Sequence, residues 1–147
     1  MNETNTNRKK GPFLVIIPAE GLRLRASVVE DKPHALKTLQ NAVGGLIEPV
    51  PLYEDIAGLP YLDAFANENA LDEGLPLNMV ATMFLKTPLF GDIVLTHYDK
   101  ESGDALPLSR EDLEAIADTL GGCFEAFVEW ATTAPTPKAE KGIMKEC

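Results

Sequence analysis

Basic residues are scarce in this chain, cysteines are scarcer, and long apolar runs are missing. Among 147 residues, 13 Lys and Arg stand against 23 Asp and Glu, for a formal charge of −10. Phosphate contacts need clustered cations, so direct nucleic-acid binding is not expected. The two cysteines, Cys123 and Cys147, share no metal or redox spacing. That excludes a disulfide framework and fits a cytoplasmic setting. Cys123 reads as a small buried apolar side chain, because no Lys or Arg lies within a helical turn to stabilise a thiolate. The longest purely apolar run, Phe13 to Ile17, is too short to cross a membrane or to form a signal-peptide core behind Arg8, Lys9 and Lys10, and no targeting segment is read. Phosphate loops, dinucleotide fingerprints, zinc-protease helices, Cys-x-x-Cys pairs and nucleophile elbows are all missing. His34 and His97 stand far apart in sequence and make a poor metal site. No catalytic residue, metal ligand or cofactor is therefore named.

What is present is a globular composition, 45% hydrophobic and 24% charged. At 16.0 kDa, area scaling lets about two thirds of the unfolded surface be buried, enough for one self-sufficient core. Residues 1–10 carry one acid and three bases, and residues 133–147 two acids and three bases, which leaves −13 on residues 11–132. Both ends are expected to be disordered tails around a single domain at 11–132. Between Lys37 and Lys86 no basic residue occurs, while Glu48, Glu54, Asp55, Asp63, Glu68, Asp72 and Glu73 all do.

The local patterns predict an α+β fold, a small and mainly antiparallel sheet with two to three helices packed on it. Phe13 to Ile17 reads as a strand. After a turn, Leu22, Leu24, Ala26 and Val28 alternate with Arg23, Arg25 and Ser27, which completes a hairpin. Arg23 and Arg25 share a face and are candidates for gripping a carboxylate or phosphate, although a solvated sheet face is the commoner meaning of such alternation. Asp31 and Pro33 are expected to open a helix whose stripe is Leu36, Leu39 and Val43, ended by Gly44 and Gly45. Pro49 and Pro51 place the Leu46 to Tyr53 segment at a sheet edge.

Tyr61 to Glu68 alternates as a strand, Asn78 caps a helix of Met79 to Leu85, and Gly91 opens a strand to Tyr98. The Lys100 to Asp104 turn leads into a short return over Ala105 to Leu108. Ser109 and Asp112 form a capping arrangement. Leu113, Ile116, Ala117, Leu120, Phe124, Phe127, Val128 and Ala131 keep helical spacing across Gly121 and Gly122. The expectation is a long C-terminal amphipathic helix whose stripe packs on the fold, with Trp130 anchoring either that face or a homodimer contact through this helix; core or edge packing is the commoner role of such a residue.

The middle of the chain carries an ordered set of short motifs. Ala42-Val43-Gly44-Gly45-Leu46-Ile47-Glu48 comes first, then Ala66-Asn67-Glu68, Gly74-Leu75-Pro76-Leu77-Asn78, and Phe90-Gly91-Asp92-Ile93-Val94-Leu95. Ser109 to Ile116 ends the series. In this order they resemble the short family catalogued as domain of unknown function 3846, over residues 13 to 120. Two departures stand out. Met79 occupies the place of an Arg usual in the family, and the Asn-Glu-x-Gly turn is lengthened to Asn67 through Gly74. The resemblance implies an accessory product of bacteria, their phages or plasmids, in a family whose name leaves the activity open.

Gly44, Gly45, Gly74 and Gly91 read as structural within these motifs. A carboxylate on a strand among apolar neighbours needs a donor, and Asn78 or the helix start at Met79 would supply one to Glu48 and Glu68. Glu48, Glu68 and Asn78 are thus the candidate constellation for a ligand or partner, against the plainer reading of a buried structural clip. Two functions compete. One is a non-catalytic interaction protein, for instance an acidic inhibitor covering the nucleic-acid-binding surface of a defence enzyme; acidity that serves only solubility is the bland alternative. The other is a small-molecule or nucleotide binder with its pocket under the Gly-Leu-Pro loop. An enzyme ranks last.

Overall fold

A central strand buried on both faces reads as a continuous apolar run, as do Phe13–Ile17 (β1) and the Ile-Val-Leu half of Ile93–Tyr98 (β5). The computed structural model describes residues 13–20, 24–29, 33–121 and, as backbone, 128–131. Around that pair lie β2 (Leu24–Val28), β3 (Ile47–Pro49), β4 (Leu62–Asn67), β6 (Ala105–Leu106) and β7 (Val128–Ala131). The order across the sheet is β3-β4-β5-β1-β2-β7, with β6 paired to β5 off this path. All pairings are antiparallel except β2 with β7. Together with helices α1 (Leu36–Val43), α2 (Met79–Leu85) and α3 (Arg110–Gly121) this is the expected α+β class.

Helices cover both faces of the sheet. Val80, Ala81, Phe84 and Leu85 of α2, with Leu113, Ile116 and Leu120 of α3, pack on Val15, Ile17, Ala26, Ala64 and Leu95. On the opposite face Leu39 and Val43 of α1 pack on Ile16, Val94 and Phe65. Strand β4 shows why alternation was readable: Leu62, Ala64 and Ala66 enter the first core, while Phe65 packs with the second. Strand β6 fills a gap. His97 of β5 opposes Leu106, and the return then pairs Leu108 with Phe13 through two 3.0 Å backbone bonds, so residues 105–108 wedge between β1 and β5.

At the other edge, β3 pairs among the described residues only with β4. The Val50 N–H donates to the Ala64 carbonyl, so the even-numbered amides face the sheet; Pro49 and Pro51, two residues apart, remove donors only from the open side.

Three expectations are corrected. The first helix begins at Leu36 after Ala35, with no side-chain cap, and Asp31 lies outside the described residues. Its stripe is Leu39 and Val43, whereas Leu36 is 59% exposed, one turn too early to reach the sheet. Of the expected long C-terminal helix, Arg110–Gly121 is helical, whereas Val128–Ala131 is a strand parallel to β2. Tandem glycines weaken a helix there, and Val-Glu-Trp-Ala also satisfies a period of two, so the open edge of β2 decides the outcome. Leu113, Ile116 and Leu120 of α3 are buried in the chain's own core. The proposed tails, the Arg23 position, and the roles expected of Cys123, Phe124, Phe127 and the Trp130 side chain fall outside what is described.

Candidate functional site

The motif residues assemble into two hydrogen-bonded nodes. At the first, Gly44 takes a left-handed φ of +78° and caps α1, and the Gly44 and Gly45 amides both donate to the Gln40 carbonyl at 2.8 and 3.1 Å. Gly45 has a different reason to be glycine. A Cβ there would stand 2.9 Å from Nδ2 of Asn67. The buried Asn67 amide donates to the Val43 carbonyl at 3.2 Å and to Glu73 Oε1 at 3.4 Å, while its oxygen accepts the Asn69 N–H at 2.7 Å. One side chain thereby ties the end of α1 to the turn after β4.

At the second node, Asn78 is 0% exposed. Its oxygen accepts the Ala81 N–H at 2.9 Å, the expected cap, and its Nδ2 donates to the carbonyls of Ile17 and Gly91, each at 2.9 Å. Its own amide donates to Leu89, and the Gly91 amide to Pro76, both at 2.8 Å. Gly91 has φ +81°, and a Cβ there would meet Leu75 Cδ1 at 2.8 Å. The Gly-Leu-Pro-x-Asn loop is thus folded directly onto the entrance to β5, and Asn78 stitches both to the end of β1.

The glutamates expected beside Asn78 are elsewhere. Glu48 and Glu68 are both exposed, Glu48 opposite Ala66 on the edge strand and Glu68 with its backbone N–H donating to Leu46. The β3–β4 register brings the two glutamates to neighbouring positions on one side of the sheet, but the amide of Asn78 bonds neither. The buried-clip reading therefore fails for them: each stands in water, where a carboxylate needs no protein donor. Arg25 is exposed on β2, as its alternation predicts. Gly74 has φ +69° with open space around its Cβ position, a turn requirement only.

Two carboxyl groups depart from their ordinary range. Burial pushes Asp63 above 3.8, partly offset by the Ala64 N–H bonded to its oxygen. The Glu101 N–H and then the Ser102 hydroxyl hold Asp99 below 3.8. His97 Nδ1 lies 4.0 Å from Asp112 Oδ2, and Asp112 also accepts the Ser109 N–H while its own amide donates to Ser109 Oγ, completing the capping box. Among the described residues no three His, Cys, Asp or Glu side chains converge to hold a metal ion, and no helix is long and apolar enough to cross a membrane.

A cavity of about 390 Å³ does lie at the Gly-Leu-Pro loop, between Leu75, Pro76, Gly91 and Asp92 on one side and Pro18, Ala19 and Glu20 on the other. Asp92 holds its shape by accepting the Ala19 N–H at 2.8 Å across 73 residues of sequence. Sequence reasoning missed this bond and the Gly45–Asn67 contact, since a lone Asp or Asn carries no local sign of a distant partner.

What the same segment leaves outside is apolar and acidic. Leu71, Leu77, Met79 and Met83 are 71, 45, 57 and 60% exposed, and Glu68, Asp72 and Glu73 of the same stretch are exposed as well. Met79 and Met83 lie one turn apart and share the outward side of α2. A family model described as a domain of unknown function, DUF3846, matches residues 12–121. Comparison with curated proteins and with solved structures returned no match.

Proposed function

The chain belongs to the DUF3846 family, and we propose that it acts without catalysis, as a cytoplasmic accessory protein of a phage or other mobile element that binds a host protein. The observation that carries this reading is the division of labour within the motif segment. Asn67, Asn78, Gly45 and Gly91 are spent on internal contacts, while Leu71, Leu77, Met79 and Met83 stand exposed on a segment that also exposes Glu68, Asp72 and Glu73. Covering apolar surface returns about 25 cal/mol per Å², and unbranched methionines adapt to a partner's contour. The acidic surroundings select a partner with a basic rim, such as a surface that otherwise holds nucleic acid.

Affinity capture from a bacterial lysate at low and high salt tests it, with the wild type beside Asp72→Lys/Glu73→Lys. A partner retained by the wild type, weakened by salt and lost with the charge-reversed variant supports the reading. Identical capture by both proteins, indifferent to salt, contradicts it.

The cavity under the Gly-Leu-Pro loop supports a second reading, a small-molecule binder. Glu20 and Asp92 in its described wall disfavour a phosphate, which favours a neutral ligand over a nucleotide. Native mass spectrometry of the purified protein tests for a retained ligand.

A further inference from the structure

A second cavity, of about 470 Å³, opens where the loop from Leu52 to Pro60 crosses the start of β4 and the end of β5. Three tyrosines line it, Tyr53, Tyr61 and Tyr98, together with the carboxylates Glu54, Asp55 and Asp63, and among the described residues no basic one belongs to the lining. Tyr53 is 82% exposed and Tyr61 and Tyr98 are 39% and 42% exposed, so the phenol rings meet solvent rather than fill the core. Large exposed aromatics on a cavity wall are unusual unless something stacks on them.

The chain's own cations already respond to this wall. Lys100 Nζ stands 5.6 Å from the centre of the Tyr61 ring, and Lys86 Nζ reaches Glu54 Oε2 at 2.6 Å from the end of α2. Phenol faces attract cations through their quadrupole, and carboxylates in a partly desolvated cleft do so through charge. An anion would meet the carboxylates of Asp55 and Asp63 beside the Lys86–Glu54 pair, and a purely apolar guest would strip them of water without compensation.

We infer that this cleft binds an organic cation, a guanidinium or alkylammonium group, seated against Tyr53, Tyr61 and Tyr98 and neutralised by Asp55 and Asp63. Its lining shares no residue with the surface proposed above for the protein partner, so the two stand or fall separately. A short arginine side chain offered by a peptide and a free alkylguanidine present the same chemistry.

The test is an amide-resolved NMR titration of the full chain with agmatine, with the tripeptide Gly-Arg-Gly, and with pentylurea as the neutral analogue. Agmatine should shift amides in 52–63 and 97–100 saturably, and pentylurea should not. Tyr53→Ala, at a position too exposed to support the core, should weaken agmatine about threefold to tenfold. Lys86→Met should tighten it by freeing Glu54. A peptide that binds at least tenfold tighter than agmatine identifies a protein segment as the source of the cation; equal or tighter agmatine identifies a free small molecule, and either supports the proposal. Equal shifts with pentylurea, or a change below twofold in Tyr53→Ala, overturn it.

Discussion

Replacing Asn78 separates a helix cap from a three-way staple. Asn78→Ala removes the acceptor for the Ala81 N–H and the donor to the Ile17 and Gly91 carbonyls, all of them in a site with no solvent access. Loss of a cap costs about 1 kcal/mol, and each buried partner left unpaired adds roughly 1–2, for a total of about 3–5 kcal/mol. In a domain of this size that is a fall in Tm of about 10 °C or more. Asn78→Asp is the sharper variant. Aspartate caps a helix as well as asparagine does, so a purely capping role predicts almost no change. A staple predicts a loss at least as large as for alanine, because a carboxylate oxygen would then face two carbonyl oxygens. Urea denaturation followed by far-UV circular dichroism, near pH 7, reads both. An Asn78→Asp protein within 1 kcal/mol of wild type would refute the staple.

Gly45→Ala should cost about 1–3 kcal/mol in the same assay, since its Cβ would press on Asn67 Nδ2 at 2.9 Å, and Asn67→Ala made in addition should recover part of the steric cost. Ser109→Ala should cost about 1 kcal/mol by removing the hydroxyl that accepts the Asp112 N–H at the start of α3. Asp63 tests the pH dependence. A carboxyl whose folded pKa is raised above its ordinary 3.8 destabilises the fold while ionised, and that penalty is relieved as pH falls through the raised value toward 3.8. Asp63→Asn should therefore melt higher than wild type at pH 7, its oxygen still accepting the Ala64 N–H, and the gain should shrink on acidification; a gain that grows toward low pH would contradict the assignment.

Much of this fold was legible because its signals are local. The alternation of Leu62 to Asn67, the Asn78 cap, the Ser109–Asp112 box and the prolines on one side of β3 each declare themselves within a few residues. The C-terminal segment misled because Val128 to Ala131 fits both a helical stripe and a strand, and only the open edge of β2 chooses between them. The candidate site was half legible. The motifs marked residues that form the two hydrogen-bonded nodes, but Asn78 spends its amide on Ile17, 61 residues away, and Glu48 and Glu68 remain in water. Nothing along the chain announces that Tyr53, Tyr61 and Tyr98 share one cleft, because the cleft is made by pairing β4 with β5.

The central claim is that the motif segment builds the fold with its inward residues and recruits a partner with its outward ones. Met79→Ser/Met83→Ser addresses it directly, with Tm and capture of the lysate partner read on one preparation. Both side chains are more than half exposed, so the Tm should stay within about 2 °C of wild type while the partner is lost. Undiminished capture, or a variant that unfolds, would contradict the account.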